Sequence, residues 1–170
     1  MINHYQLCKK TAEWAVKRSH ICVYEYQSYA CGEFPDVLSF AGSRTELFEI
    51  KVSRSDFFAD NKKDSRRGLK DTKVKVYPNY YSKASVTKTI RQKPHLGVQR
   101  YYVCPWGMIK PEEIEHFGLL WYREKDGKFF EKKRSDKFRR DLYKENAILV
   151  HALRKQVNVG NEQLLVKKYK

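Results

Sequence analysis

The chain contains no CxxC pair, no uninterrupted apolar run near the roughly 18 residues of a membrane span, and few acids for its number of bases. Each shortage excludes something. Cys8, Cys22, Cys31 and Cys104 are read as having no histidine partner at zinc-ligand spacing, so neither a zinc ribbon nor a disulfide scaffold is expected, and the thiols read as reduced and partly buried. The opening MINHYQLCKK lacks the apolar core of a secretory signal, and with no spanning run the expectation is a soluble, cytoplasmic protein with no membrane partner. Only 20 Asp and Glu face 35 Lys and Arg, giving a net charge of +15 and a pI near 9.6. That bias argues against a neutral metabolic enzyme and for an anionic partner, nucleic acid ahead of a membrane surface.

What is present suits one globular domain spanning 1–170, because 170 residues with 41% hydrophobic content can bury a single core. No repeat or low-complexity tract divides it. The positive charge is concentrated: Asn61 to Arg100 carries twelve Lys or Arg against Asp64 and Asp71. Residues 61–98 read as an irregular basic loop, with one short helix expected around Ser82 to Arg91. Its Lys62, Lys63, Arg66, Arg67, Lys70, Lys73 and Lys75 are the expected phosphate contacts, with Tyr77, Tyr80 and Tyr81 available for stacking or for local packing.

Elsewhere the pattern alternates between helix and strand. YQLCKKTAEWAVKRS (5–19) sets Leu7, Ala12, Trp14, Ala15 and Val16 on a broad apolar stripe and predicts a first helix. Strands are predicted over 20–28, at DVLSF, at ELFEIKV and at QRYYVC, and Asp126-Gly127 joins a hairpin between Leu119 to Arg123 and Lys128 to Lys132. A C-terminal helix is expected over 139–155. Trp14, Trp106 and Trp121 are assigned to the core, the final VKKYK to a frayed end, and Glu112 and Glu113 to a helix dipole. His95, His116 and His151 have no acid or nucleophile at a fixed spacing.

The chemistry lies in the hairpin from Pro35 to Lys51. Pro35 is tolerated at the start of a strand, and Gly42 lies in the return turn. Side chains alternate with period two, so Glu49 and Lys51 share a face, opposite Phe48, Ile50 and Val52. Asp36 on the neighbouring antiparallel strand can approach Glu49, and two close carboxylates attract a hard cation such as Mg²⁺ that keeps sites for water and phosphate. Lys51 beside it can orient water and offset charge on a phosphoryl transition state. The alternative from residues alone is a surface hairpin whose charges face water.

Pro35-Asp36 followed by Glu49-Ile50-Lys51 resembles the PD-(D/E)xK nuclease superfamily. PDVLSF, ELFEIKVSRSDFFADNKK and RYYVCPWGMIKPEEIEHFGLLWY are similar to the small bacterial and phage-encoded branch that includes MmcB-like DNA-repair proteins. The resemblance implies an α/β (α+β) restriction-endonuclease-like core, a mixed four- to five-stranded sheet flanked by helices. It implies Asp36 and Glu49 as ligands of Mg (or Mn), the Ile50 carbonyl as a further ligand and Lys51 as the catalytic lysine. An acid on the first helix joins them in many members; Glu13 is the candidate, with Glu25 and Glu33 competing. Ser53, Arg54 and Asp56 match an SRxDF signature expected to cap the next helix or support the ligands.

The expected activity is metal-dependent hydrolysis of DNA phosphodiesters, DNA ahead of RNA, and a homodimer is compatible with it. One rival is a non-catalytic nucleic-acid-binding module on the same fold. Another is a phage-encoded interaction factor that docks through the basic insertion.

Overall fold

The computed structural model describes residues 2–26, 34–60, 72–76, 86–90, 94–160 and 162–168. Asn3 opens the first helix through a capping box: its Oδ1 accepts from Gln6 N at 2.8 Å, and Gln6 Oε1 accepts from Asn3 N at 3.1 Å. Helix α1 (His4–Arg18) therefore includes His4, one residue ahead of the predicted start. It places Leu7, Cys8, Ala12 and Ala15 against the sheet with no exposed surface.

Strands β1 (Ile21–Tyr24), β2 (Val37–Ala41) and β3 (Arg44–Ile50) form an antiparallel meander. Ala41 pairs Arg44 across the two-residue Gly42-Ser43 turn, and Gly42 adopts φ 61°, a conformation that side chains resist. After β3 come α2 (Arg54–Asp60), a separate antiparallel pair β4 (Thr72–Val76) and β5 (Val86–Ile90), and β6 (Gln99–Pro105). A 3-10 turn (Pro111–Glu113), β7 (Gly118–Arg123), β8 (Lys128–Lys133), α3 (Leu142–Val159) and β9 (Leu164–Val166) complete the chain.

The main sheet runs β8-β7-β6-β3-β2-β1-β9, with β3, β6 and β7 mutually parallel and the other pairs antiparallel. The fold is thus α+β, a mixed sheet flanked by helices, but with seven strands instead of the expected four to five. The unexpected edge is β9: Val166 pairs Ile21 and Lys167 N donates to His20 O at 2.9 Å, so these two residues of the terminus read as frayed are paired at the start of β1. The helix expected around Ser82 to Arg91 is also corrected. VTKTI is rich in β-branched residues and forms β5, in register with β4.

Period-two alternation divides the core. Phe48, Ile50, Tyr101, Val103, Leu120 and Tyr122 face α1, whereas Leu47 packs with Ile148 and Ala152 of α3 on the other side. Tyr102, Cys104 and Leu119 pack with Phe57 of α2. Arg100, counted in the basic stretch by sequence, is fully buried with its guanidinium 5.2 Å from the Phe117 ring, so it adds nothing to a basic surface.

Candidate active site

The site lies where β2 begins and β3 ends. Val37 pairs Phe48, so the antiparallel register carries Asp36 to the level of Glu49, as the hairpin argument requires. Pro35 is buried ahead of it, and Asp36 Oδ2 accepts the Ile50 N–H at 2.7 Å. Ile50 thus enters through its amide, a contact that locks the Asp36 carboxylate over the strand end. Lys51 N donates to Val103 O at 2.9 Å, continuing the parallel ladder to β6 by one residue.

Glu49 and Lys51 share a face, and the lysine Nζ lies 3.9 Å from Glu49 Oε2. Lys51 is only 3% exposed, yet its ammonium does not lie in apolar surroundings. Helix α2 brings Asp56 to 3.8 Å and Asp60 to 3.3 Å, two acids spaced i,i+4 on one helical face. Asp60 is fully buried and accepts the Tyr102 hydroxyl at 2.9 Å. Glu49, Asp56 and Asp60 thus gather within 4 Å of the Lys51 ammonium at one sheet end, while Asp36 beside them binds the Ile50 N–H and His4.

On the α1 side, His4 Nε2 stands 3.5 Å from Asp36 Oδ2, while its Nδ1 lies 2.9 Å from Glu25 Oε1. The hydrogen bond to Asp36 raises the imidazole above its ordinary range, opposed by burial and helped by the charges of Asp36, Glu25 and Asp56. Cys8 Sγ donates to Glu25 Oε1 at 3.0 Å, and burial pushes this thiol far up. Cys8, Cys22 and Cys104 are free.

Of the acids proposed to join Asp36, Glu13 is not brought to it. It lies half-exposed 3.9 Å from Lys10, about 14 Å along α1 from His4 at 1.5 Å per residue. Glu25 reaches the neighbourhood through His4, and Glu33 lies outside the described residues. Ser53 caps α2, its Oγ accepting from Asp56 N at 3.2 Å. Asp56 supports Lys51. Arg54 is engaged elsewhere: it forks onto Glu113 at 2.8 and 2.5 Å and donates to Met108 O at 3.0 Å. Glu113, read as a dipole residue, is thus the anchor between the 3-10 turn and α2.

Lys62, Lys63, Arg66, Arg67 and Lys70 lie outside the described residues, as do Tyr77, Tyr80 and Tyr81. Lys73 and Lys75 lie on β4, paired with Thr89 and Thr87. Trp106, expected in the core, is 46% exposed just beyond β6, at the sheet end where Lys51 follows the parallel β3. Its ring lies 5.3 Å from the Arg123 guanidinium and 4.9 Å from Lys132 Nζ, with Phe130 edge-on at 5.0 Å.

Sequence reading missed His4, Cys8 and Asp60. The i,i+4 spacing of His4 and Cys8 was the available signal once the Asn3 cap extends the helix to His4. Asp60 follows Asp56 by one turn on α2 and was equally accessible.

Fold and site together define an α+β protein with a carboxylate-rich centre at the end of a mixed sheet. No protein-family model matches the chain, and no curated protein matches its sequence. Among solved structures it is similar to the SPO1766 protein of unknown function from Silicibacter pomeroyi, at 14% identity and a TM-score of 0.57 over 93% of each chain. At that identity the likeness concerns the fold alone.

Proposed function

We propose that the chain is a divalent-metal-dependent nuclease of the PD-(D/E)xK type, with a restriction-endonuclease-like core, that hydrolyses DNA phosphodiesters. The observation that carries this reading is Lys51 held 3.9 Å from Glu49 at the end of β3, with Asp36 locked onto the adjoining Ile50 amide. Asp36 and Glu49 offer oxygen donors alone, a set suited to Mg²⁺ or Mn²⁺. Such a cation supplies charge neutralisation at the phosphate and acidifies water.

The protein's own contribution is positional. Asp60 and Asp56 fix the ammonium of Lys51, and Tyr102 fixes Asp60, so the charge that offsets the developing phosphoryl anion is oriented before substrate arrives. Glu49, already paired with Lys51, is the ligand shared by charge pair and metal. The net charge of +15 supports an anionic polymer as substrate. Half-exposed Trp106 between Arg123 and Lys132 offers a face for base stacking at the same sheet end.

A second reading, a binding module without turnover, draws on the burial of Glu49 and Lys51, at 7% and 3% exposure. Linear, nicked, single-stranded and branched DNA, and RNA, incubated with the protein and Mg²⁺ or Mn²⁺ separate the two. The nuclease reading expects metal-dependent cleavage. Tight binding with no cleavage of any of these substrates establishes the binding module instead.

A further inference from the structure

Beside Asp36, but with a different donor chemistry, one nitrogen, one sulfur and one carboxylate oxygen converge. His4, Cys8 and Glu25 each direct a ligand atom so that all three lie within 4.8 Å of one another. His4 and Cys8 are one helical turn apart on α1, Cys8 Sγ lying 3.6 Å from His4 Nδ1. Glu25 completes the group from the residue after β1. Among the described residues it is the non-glycine with positive φ, at 49°, held there by its N–H to Asp36 O at 2.8 Å and by Gln163 Nε2 on its carbonyl at 2.7 Å.

We propose that His4, Cys8 and Glu25 form a binding site for a thiophilic divalent cation, Zn²⁺ or an analogue such as Co²⁺. Tetrahedral zinc with ordinary bond lengths separates sulfur from nitrogen or oxygen by about 3.6 Å, and nitrogen from oxygen by about 3.4 Å. The Cys8–His4 separation already equals the first of these. Glu25 Oε1, at 3.0 Å from Cys8 and 2.9 Å from His4, must withdraw by roughly half an ångström, the expected change when a bridging proton gives way to a metal. A thiolate and a carboxylate neutralise the dication, which suits a centre whose sulfur is wholly buried. The half-exposed side chains of His4 and Glu25 leave a route in from solvent.

His4 adds a further argument. With Nδ1 turned to Cys8 and Glu25, its Nε2 faces Asp36 Oδ2 at 3.5 Å, the carboxylate–histidine–metal arrangement that fixes ring orientation in metalloproteins. Asp36 thereby joins a soft N/S/O site to the oxygen-only pair of Asp36 and Glu49. The softer site discriminates against Mg²⁺ because thiolate and imidazole donors select transition metals. These contacts are independent of any nuclease activity.

The test is titration of the reduced, chelator-treated full chain with Co²⁺, following thiolate-to-cobalt charge-transfer absorption, then displacement by Zn²⁺. One equivalent should produce the band, excess Mg²⁺ should leave it intact, and Cys8→Ser should abolish it while Lys51→Ala retains it. Should Cys8→Ser misfold, His4→Gln and Glu25→Gln, at partly exposed side chains, should each weaken Co²⁺ binding more than tenfold. Asp36→Asn, acting through His4, should weaken it about tenfold. Absence of the band, or a band undiminished in Cys8→Ser or in both other ligand variants, overturns the site. A chain that cleaves DNA without the band loses this inference alone; one with the band but no cleavage loses the nuclease reading alone.

Discussion

Lys51 Nζ lies 3.3 Å from Asp60 Oδ1, and the other oxygen of that fully buried carboxylate accepts the Tyr102 hydroxyl at 2.9 Å. The buried lysine is therefore oriented by helix α2, and α2 is in turn tied to the sheet by a side chain of β6. Asp60→Ala removes the lysine's nearest carboxylate and strands the hydroxyl. Urea denaturation should show a loss of about 3 kcal/mol, the scale for breaking a buried charge pair. Tyr102→Phe, which spares the ammonium, should cost about 1 kcal/mol.

Gly118 opens β7 against a crowded wall. A Cβ there would meet Tyr101 Cδ1 at 2.2 Å and Ser135 N at 2.8 Å, and the Tyr101 ring is itself stacked on Phe48 at 5.7 Å. Gly118→Ala should destabilise the chain by about 1–3 kcal/mol in the same denaturation assay, the cost of overpacking a filled site.

The Arg54–Glu113 pair sets a pH dependence. The Arg54 guanidinium and the Lys110 amide hold the Glu113 carboxyl down to about 2, from an ordinary value of 4.5. Because the folded value lies below the unfolded one, the pair's stabilisation is fully present above about pH 4.5 and is lost as pH falls through about 2. The melting temperature of Glu113→Gln should therefore lie below wild type at neutral pH. The gap should close progressively across that acid window. Both side chains meet solvent, so the gap at neutral pH should be modest.

Trp106 is 46% exposed and flanked by the Arg123 guanidinium and the Lys132 ammonium. If the substrate crosses this sheet end, Trp106→Ala should weaken single-stranded DNA binding by about tenfold in fluorescence anisotropy, in line with roughly 1–3 kcal/mol per stacked base. Lys132→Ala should instead flatten the dependence of affinity on salt. Unchanged affinity in both variants would remove this face from the interface.

Legibility followed the range of the interactions involved. The alternation of β3 and the Asp126-Gly127 return are local, and both stand where the pattern put them, Gly127 at φ 66° included. The three-residue strand β9 was not legible, because three residues are too few to show a period and its partner β1 is about 140 residues away. VTKTI carried a strand signal in its β-branched residues, but its neighbours on both sides obscured it. In the site, the E-x-K spacing gave the shared face of Glu49 and Lys51 directly. The group around His4 required knowing that the Asn3 cap brings that residue into α1 and that Glu25 turns back across the strand end. Neither follows from composition.

The central claim is that Lys51 does chemistry at a centre held by Asp36 and Glu49. Its most direct test is single-turnover cleavage of labelled DNA by wild type and Lys51→Ala under Mn²⁺, with Mn²⁺ binding and DNA binding measured on the same samples. Lys51→Ala should bind metal and DNA close to wild type yet lose cleavage by at least about a hundredfold, the scale for one electrostatic group acting in the transition state. Cleavage by Lys51→Ala at the wild-type rate, or no metal-dependent cleavage by wild type on any DNA form, would contradict it.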